Sequence, residues 1–225
     1  MRLRNEKKFI QACKSLISNL SSRDAFKHIY VSLRNSHSLN VLKKAKGALD
    51  TLGIEFWLHG GTCLGAIREK NFILHDWDID LGILQKDEHK LDLKEFERKG
   101  FVLISVHRDQ KTNKGLVISF RTRLDFLAGA CGLPVLNFLR VLDINVFYEK
   151  DEFLWQAVYF NNKKIAYVFS KKLFKNLKEI EFLGLKVKVP NPVEEFLTEH
   201  FGEWRIPKKN WKYNKDPPCI KKGFL

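Results

Sequence analysis

The run Asp78 to Leu84, DIDLGIL, constrains this chain more than any other segment. Its alternating start and β-branched residues read as a strand. Side chains two apart on a strand share a face, so Asp78 and Asp80 project to the same side. Two carboxylates held that close repel each other. A divalent cation with a preference for hard oxygen ligands removes the repulsion. The spacing alone arises readily by chance, so its meaning depends on what surrounds it. Asp76 extends the series and invites a calcium-loop reading. That loop requires Gly at its sixth position and Glu at its twelfth. Leu81 and Asp87 stand there instead, which excludes it.

Ile54 to Leu58, IEFWL, predicts a preceding strand, followed by Gly60-Gly61 and a short helix over Thr62 to Arg68. Glycine admits close approach of a ligand to the backbone, and the free N–H groups of a helix start can hold phosphate. A tight strand-to-helix turn accounts for the glycines equally simply. A third carboxylate, Asp143 in RVLDINVF, lies on another apolar strand. An ionised carboxylate there needs either a basic partner or a cation, and the residues alone leave that choice open.

Elsewhere the pattern predicts helix over residues 5–52, with a cap at Ser36 or Ser38, and a helix over Asp87 to Arg98 ended by Gly100. Strands are expected at Phe101–Val106, Leu116–Arg121 and Val141–Phe147. Two hairpins follow, one turning at Asn161-Asn162 and one at Gly184. A last helix is capped by Asn191 and stopped by Gly202. Phe126 to Leu139 is apolar but broken by Gly132, Pro134 and Asn137. It reads as a buried hairpin or loop, with membrane contact the lesser alternative. The fold class expected is α+β, a mixed β-sheet with flanking helices. A helical region over residues 1–52 is expected to precede one further domain over residues 53–225.

Forty Lys and Arg against 26 Asp and Glu give a net charge of +14. Such a surface attracts anions. The charge is spread along the chain without an aromatic-interleaved basic motif, so nucleic acid is not the expected partner. Cys13, Cys63, Cys131 and Cys219 are too scattered for a zinc site or a redox pair. With no signal-peptide pattern or apolar stretch of spanning length, a cytoplasmic protein is expected, with at most peripheral membrane contact.

Strand, Gly-Gly, helix, Asp-x-Asp strand and a later Asp-bearing strand form the arrangement of the nucleotidyltransferase fold. The segment GGTCLGAIREKNFILHDWDIDLGI resembles the signature of the LicD family, which includes bacterial phosphorylcholine transferases, fukutin and fukutin-related protein. LDINVF around Asp143 and VPNPVEEFLTEHFGEW, Val189 to Trp204, resemble its later motifs. Leu74-His75 replaces the family's usual Pro-Trp, Trp77 a common acidic residue, and Phe201 the usual Tyr.

The resemblance implies a phosphocholine- or ribitol phosphate-like group moved from a CDP-linked donor to a hydroxyl of a glycan or glycolipid acceptor, with Mg²⁺ or Mn²⁺ as cofactor. Asp78 and Asp80 would coordinate the metal. Asp143 would complete that site or accept the acceptor's proton. Gly60, Gly61 and Thr62 would hold donor phosphates. Arg68 would meet phosphate charge or form a structural ion pair. His59 reads as structural before it reads as a ligand contact. Trp204, Trp211 and Tyr213 read as anchors of the tail before they read as a choline pocket. The alternative activity is addition of a nucleoside monophosphate to a small molecule or RNA.

Overall fold

A computed structural model describes residues 23–130, 141–160, 163–221 and 224 of the chain. A long helix, α1 (Arg23–Thr51), leads into β1 (Phe56–Leu58) and the short α2 (Gly60–Leu64). Next come β2 (Asp78–Leu84), α3 (Leu93–Arg98), β3 (Phe101–His107), β4 (Val117–Thr122) and α4 (Arg123–Ala130). The chain continues through β5 (Val141–Lys150), β6 (Phe153–Phe160), β7 (Lys163–Ser170), β8 (Lys178–Phe182) and β9 (Leu185–Val189) to α5 (Val193–Phe201).

Five strands lie in the order β1-β2-β5-β4-β3, with β2 and β5 parallel and the other neighbours antiparallel. The C-terminal end of β5 pairs with β6, which pairs with β7, and β8–β9 forms a separate two-stranded sheet. The α+β class is therefore observed: a mixed sheet with flanking helices.

Paired residues on neighbouring strands share a face. Ile79, Leu81 and Ile83 of β2 and Leu142, Ile144 and Val146 of β5 are buried together on one face, with Ile118 and Phe120 of β4 beside them. Val41, Leu42, Ala45, Ala48 and Leu49 of α1 and Phe96 of α3 belong to the same continuous core. The opposite face carries Asp78, Asp80 and Asp143. Further along β5 that face becomes aromatic: Phe147 packs on Trp57 at 4.9 Å and on His59 at 5.0 Å. Gly82 is required here, because a Cβ would lie 2.3 Å from Cε2 of Trp57.

The helix boundaries differ from expectation at several points. Ser36 and Ser38 cap nothing: α1 runs through both, and Ser38 is buried with its hydroxyl on the Arg34 carbonyl at 2.9 Å. An apolar stripe packed on the sheet outweighs the local capping preference of serine. The helix expected over Asp87–Arg98 is two pieces, a 3₁₀ turn (Gln85–Lys90) and α3. Asp92 caps α3 by accepting the Lys94 N–H at 2.9 Å, a signal inside a span read as continuous. Residues Arg123–Ala130 form a helix, correcting the hairpin-or-loop reading at the start of Phe126–Leu139. Residues 131–140, the Asn161-Asn162 turn and the helix expected over residues 5–22 lie outside the described residues. Pro192 occupies the N-cap of α5 rather than Asn191. Gly184, at φ +77°, turns the β8–β9 hairpin as expected.

Candidate active site

The register of β2 and β5 builds the site. Asp80 lies directly opposite Asp143, with Asp78 two pairs earlier opposite Val141. All three carboxylates therefore emerge on one face, and one oxygen from each lies within 4.8 Å of the others. A residue 143 on the far face would have dissolved the cluster; the parallel pairing prevents that. No lysine or arginine among the described residues forms an ion pair with Asp80 or Asp143.

The electrostatics follow from that crowding. Burial raises the Asp80 carboxyl well above the usual carboxylate range, and the charges of Asp78, Asp143 and Asp76 raise it further. A hydrogen bond from the Asn145 amide to Asp80 Oδ1 (3.2 Å) works in the opposite direction. Burial also pushes Asp143 up to about 6, opposed by a hydrogen bond from Ser119 and reinforced by Asp78. Asp143 Oδ1 is buried without a hydrogen-bond partner. Convergent carboxylates with one orphaned buried oxygen match the needs of a hard divalent cation.

The strand-to-helix turn packs tightly on these carboxylates. Gly60 has φ +52°, and a Cβ there would lie 2.4 Å from Asp80 Oδ2. A Cβ on Gly61 would lie 2.0 Å from Asp76 Oδ2. The two glycines thus admit two acidic side chains against the backbone. Thr62 is buried, and its hydroxyl accepts the Asp80 N–H at 3.0 Å, while the His59 N–H donates to the Asp80 carbonyl at 3.0 Å. Both contacts set the height of Asp80 relative to the turn.

Arg68 is placed otherwise. Its Nε donates to Glu69 at 2.8 Å and its Nη1 to the Trp204 carbonyl at 2.9 Å. It is not among the charges acting on Asp80 or Asp143. The structural-ion-pair alternative therefore describes its contacts, which tie the C-terminal segment to the turn after α2. Trp204 is buried, and Trp211 packs on Phe201 at 5.7 Å, while Tyr213 is half exposed against Phe160. Trp204 and Trp211 thus make the packing contacts expected of tail anchors.

His59 is fully enclosed. The Gln156 amide donates to its Nε2 at 2.6 Å, and its ring stacks on His200 at 5.1 Å. Burial lowers its pKa to about 3, and burial followed by the neighbouring His59 lowers that of His200. His59 is thus a neutral packing residue behind the Gly60 turn.

Sequence reasoning missed Asn145, Ser119 and Arg34, and met Asp76 only as part of an excluded calcium loop. Asn145 was within reach, being two residues from Asp143 on one strand and hence on its face. Ser119 is brought opposite Asp143 only by the β4–β5 register. Arg34 is almost fully buried, lies over the Trp77 ring at 5.3 Å and donates to the Asp76 carbonyl, bracing the entry to β2.

A mixed sheet presenting three carboxylates from two parallel strands beside a Gly-Gly turn defines a protein of the nucleotidyltransferase class. The chain belongs to the LicD family: residues 53–192 match the model described as "LicD/FKTN/FKRP, nucleotidyltransferase domain". Among similar proteins, Ribitol-5-phosphate transferase FKTN of Homo sapiens is 32% identical over 195 residues, covering 84% of this chain and 38% of that protein. Ribitol 5-phosphate transferase FKRP of Homo sapiens is 26% identical over 156 residues, covering 69% of this chain and 29% of that protein. Uncharacterized protein RP689 of Rickettsia prowazekii (strain Madrid E) is 25% identical over 187 residues, covering 81% of this chain and 61% of that protein. The chain thus spans well under half the length of the two transferases.

Proposed function

We propose that this chain is a divalent-metal-dependent transferase that moves a phospho-alcohol, ribitol phosphate-like or phosphocholine-like, from a CDP-linked donor to a hydroxyl of a glycan or glycolipid: the hydroxyl oxygen bonds to the distal phosphorus, the pyrophosphate P–O bond breaks and CMP leaves. The observation that carries this reading is the meeting of Asp78, Asp80 and Asp143 on one sheet face, with no basic partner on Asp80 or Asp143 among the described residues. Membership of the LicD family and the likeness to two ribitol phosphate transferases support it.

Asp78, Asp80 and Asp143 would hold Mg²⁺ or Mn²⁺, which when bound neutralises phosphate charge at the site. Asn145 and Thr62 keep Asp80 in place, the first through its carboxylate and the second through its backbone N–H. Gly60, Gly61 and Thr62 border the donor phosphates, with Gly60 and Gly61 leaving the carboxylates uncovered by any side chain of their own. Asp143 either completes the metal site or takes the proton of the attacking hydroxyl. Arg68 contributes by fixing Trp204 and the C-terminal segment. The basic surface draws in the anionic donor.

Among the described residues no helix is long and apolar enough to cross a membrane. A glycolipid acceptor would be met by peripheral contact on the cytoplasmic side.

The test is incubation of the purified protein with Mn²⁺, a panel of CDP-linked alcohols and a glycan acceptor, read by mass spectrometry. Added phospho-alcohol supports the reading. An added nucleoside monophosphate selects nucleotidyl transfer instead. Failure of any nucleotide to bind in the presence of Mn²⁺ refutes both.

A further inference from the structure

Behind the carboxylates lies a cation that the site description has not used. Ser119 pairs with Asp143, and Arg121 is two residues further along β4, so its side chain leaves on the same face. Phe120 pairs with Leu142, and continuing that register sets Arg121 beside Val141, which pairs with Asp78. Two rows of side chains therefore cross the sheet on this face. One runs Asp78, Val141, Arg121; the next runs Asp80, Asp143, Ser119.

Arg121 is half-buried, and its Nε is buried without a hydrogen-bond partner. It enters none of the ion pairs among the described residues. Nor is it among the groups acting on Asp143. A buried guanidinium nitrogen without a partner is costly to leave so. Placed near three carboxylates yet not spent on them, it fits a ligand that arrives with its own negative charge.

Diagonal neighbours on adjacent strands lie about 7–8 Å apart at Cα, within reach of a long side chain. Arg121 and Asp143 stand in that relation. An anion held over Asp143 through a divalent cation would thus meet the guanidinium from the β4 side. The planar fork of arginine suits two phosphate oxygens at once, which lysine cannot reproduce.

We propose that Arg121 is the phosphate-binding arginine of this site, engaging the pyrophosphate of a nucleoside diphosphate whose charge the carboxylate-held cation shares. This rests on the proposed function for the nucleoside part of the ligand, but not for the pyrophosphate. It assigns to β4 the phosphate contact that the sequence suggested for Arg68.

Arg121→Gln, Arg121→Lys and a surface control, Lys186→Gln, are titrated at fixed ionic strength. Mn²⁺ alone, Mn²⁺ with inorganic pyrophosphate and Mn²⁺ with CDP are each measured by calorimetry. Lys186 is strongly exposed, so its replacement reports only the general pull of a basic surface. The expected result for Arg121→Gln is Mn²⁺ affinity within twofold of the parent, with pyrophosphate and CDP affinity at least tenfold weaker. Arg121→Lys should fall between, and Lys186→Gln should match the parent. Unchanged pyrophosphate binding in Arg121→Gln overturns the proposal. So does loss of Mn²⁺ binding together with a lowered melting temperature, which would mark Arg121 as structural. A parent that binds pyrophosphate but no nucleotide removes the proposed function while leaving the Arg121 comparison readable. A parent that holds neither anion removes both.

Discussion

Replacing Asp143 with asparagine should stabilise the metal-free protein while removing most of its response to Mn²⁺. The Asp143 carboxyl sits at about 6 against an ordinary value of 3.8, chiefly because it is buried. A raised folded-state value means that the folded protein holds this proton more tightly than the unfolded chain does. Below the unfolded value both states carry the proton and there is no penalty. The penalty grows as pH rises through the window from 3.8 to about 6, and is fully present above it. The gap of roughly two units, at 1.36 kcal/mol each, is about 3 kcal/mol. The asparagine amide must find new partners, and Ser119 loses a charged acceptor, so about half of that gain should survive. For a chain of this size that is roughly 3–6 °C in melting temperature. Scanning calorimetry in chelator at pH 8 should show it, and at pH 5 the difference should shrink because the parent is then largely protonated. Mn²⁺ at a hundred times its dissociation constant should return about 2.7 kcal/mol to the parent, and the order of the two proteins should invert. A variant that melts below the parent in chelator at pH 8, or that gains as much from Mn²⁺, would refute the account of the carboxylate cluster.

Other consequences of the structure can be checked separately. Gly82→Ala drives a methyl into the Trp57 indole and should destabilise by about 2–3 kcal/mol in chemical denaturation; full stability would contradict the packing. Arg68→Gln removes the bonds to Glu69 and the Trp204 carbonyl and should cost about 1–2 kcal/mol, with Mn²⁺ affinity unchanged by calorimetry. His59, held at about 3 by burial, gains a proton on unfolding below about pH 6.5. Its contribution to stability is present above that pH and falls by about 1.4 kcal/mol per unit below it. Urea titrations from pH 7.5 to 5 should therefore show a steeper loss in Asp143→Asn than in the parent, where protonation of Asp143 works against the His59 effect.

Much of the site could be read from local pattern because strand geometry is local. Asp78 and Asp80 share a face by their spacing alone, and the Gly-Gly turn and the IEFWL strand follow from residue type. Even Asn145 follows from Asp143 by the same alternation. Helix limits were less legible. Ser38 is a good cap in isolation, yet the buried stripe from Val41 to Leu49 carries the helix past it, because packing against the sheet outweighs one capping bond. At Arg123–Ala130 apolar composition could not separate helix from loop, since short apolar runs serve either.

What the chain alone determined is which side chains stand on a common face of each strand, and hence that two carboxylates point together. What only the tertiary structure decided is which strands are neighbours and in what register. That choice set Asp143 opposite Asp80, brought Ser119 and Arg121 from β4 onto the same face and turned Arg68 toward Trp204. The physical reason is range: alternation is imposed by the backbone of two residues, whereas register is chosen by burial of the opposite face of the sheet across some sixty residues of intervening chain, from Asp80 to Asp143.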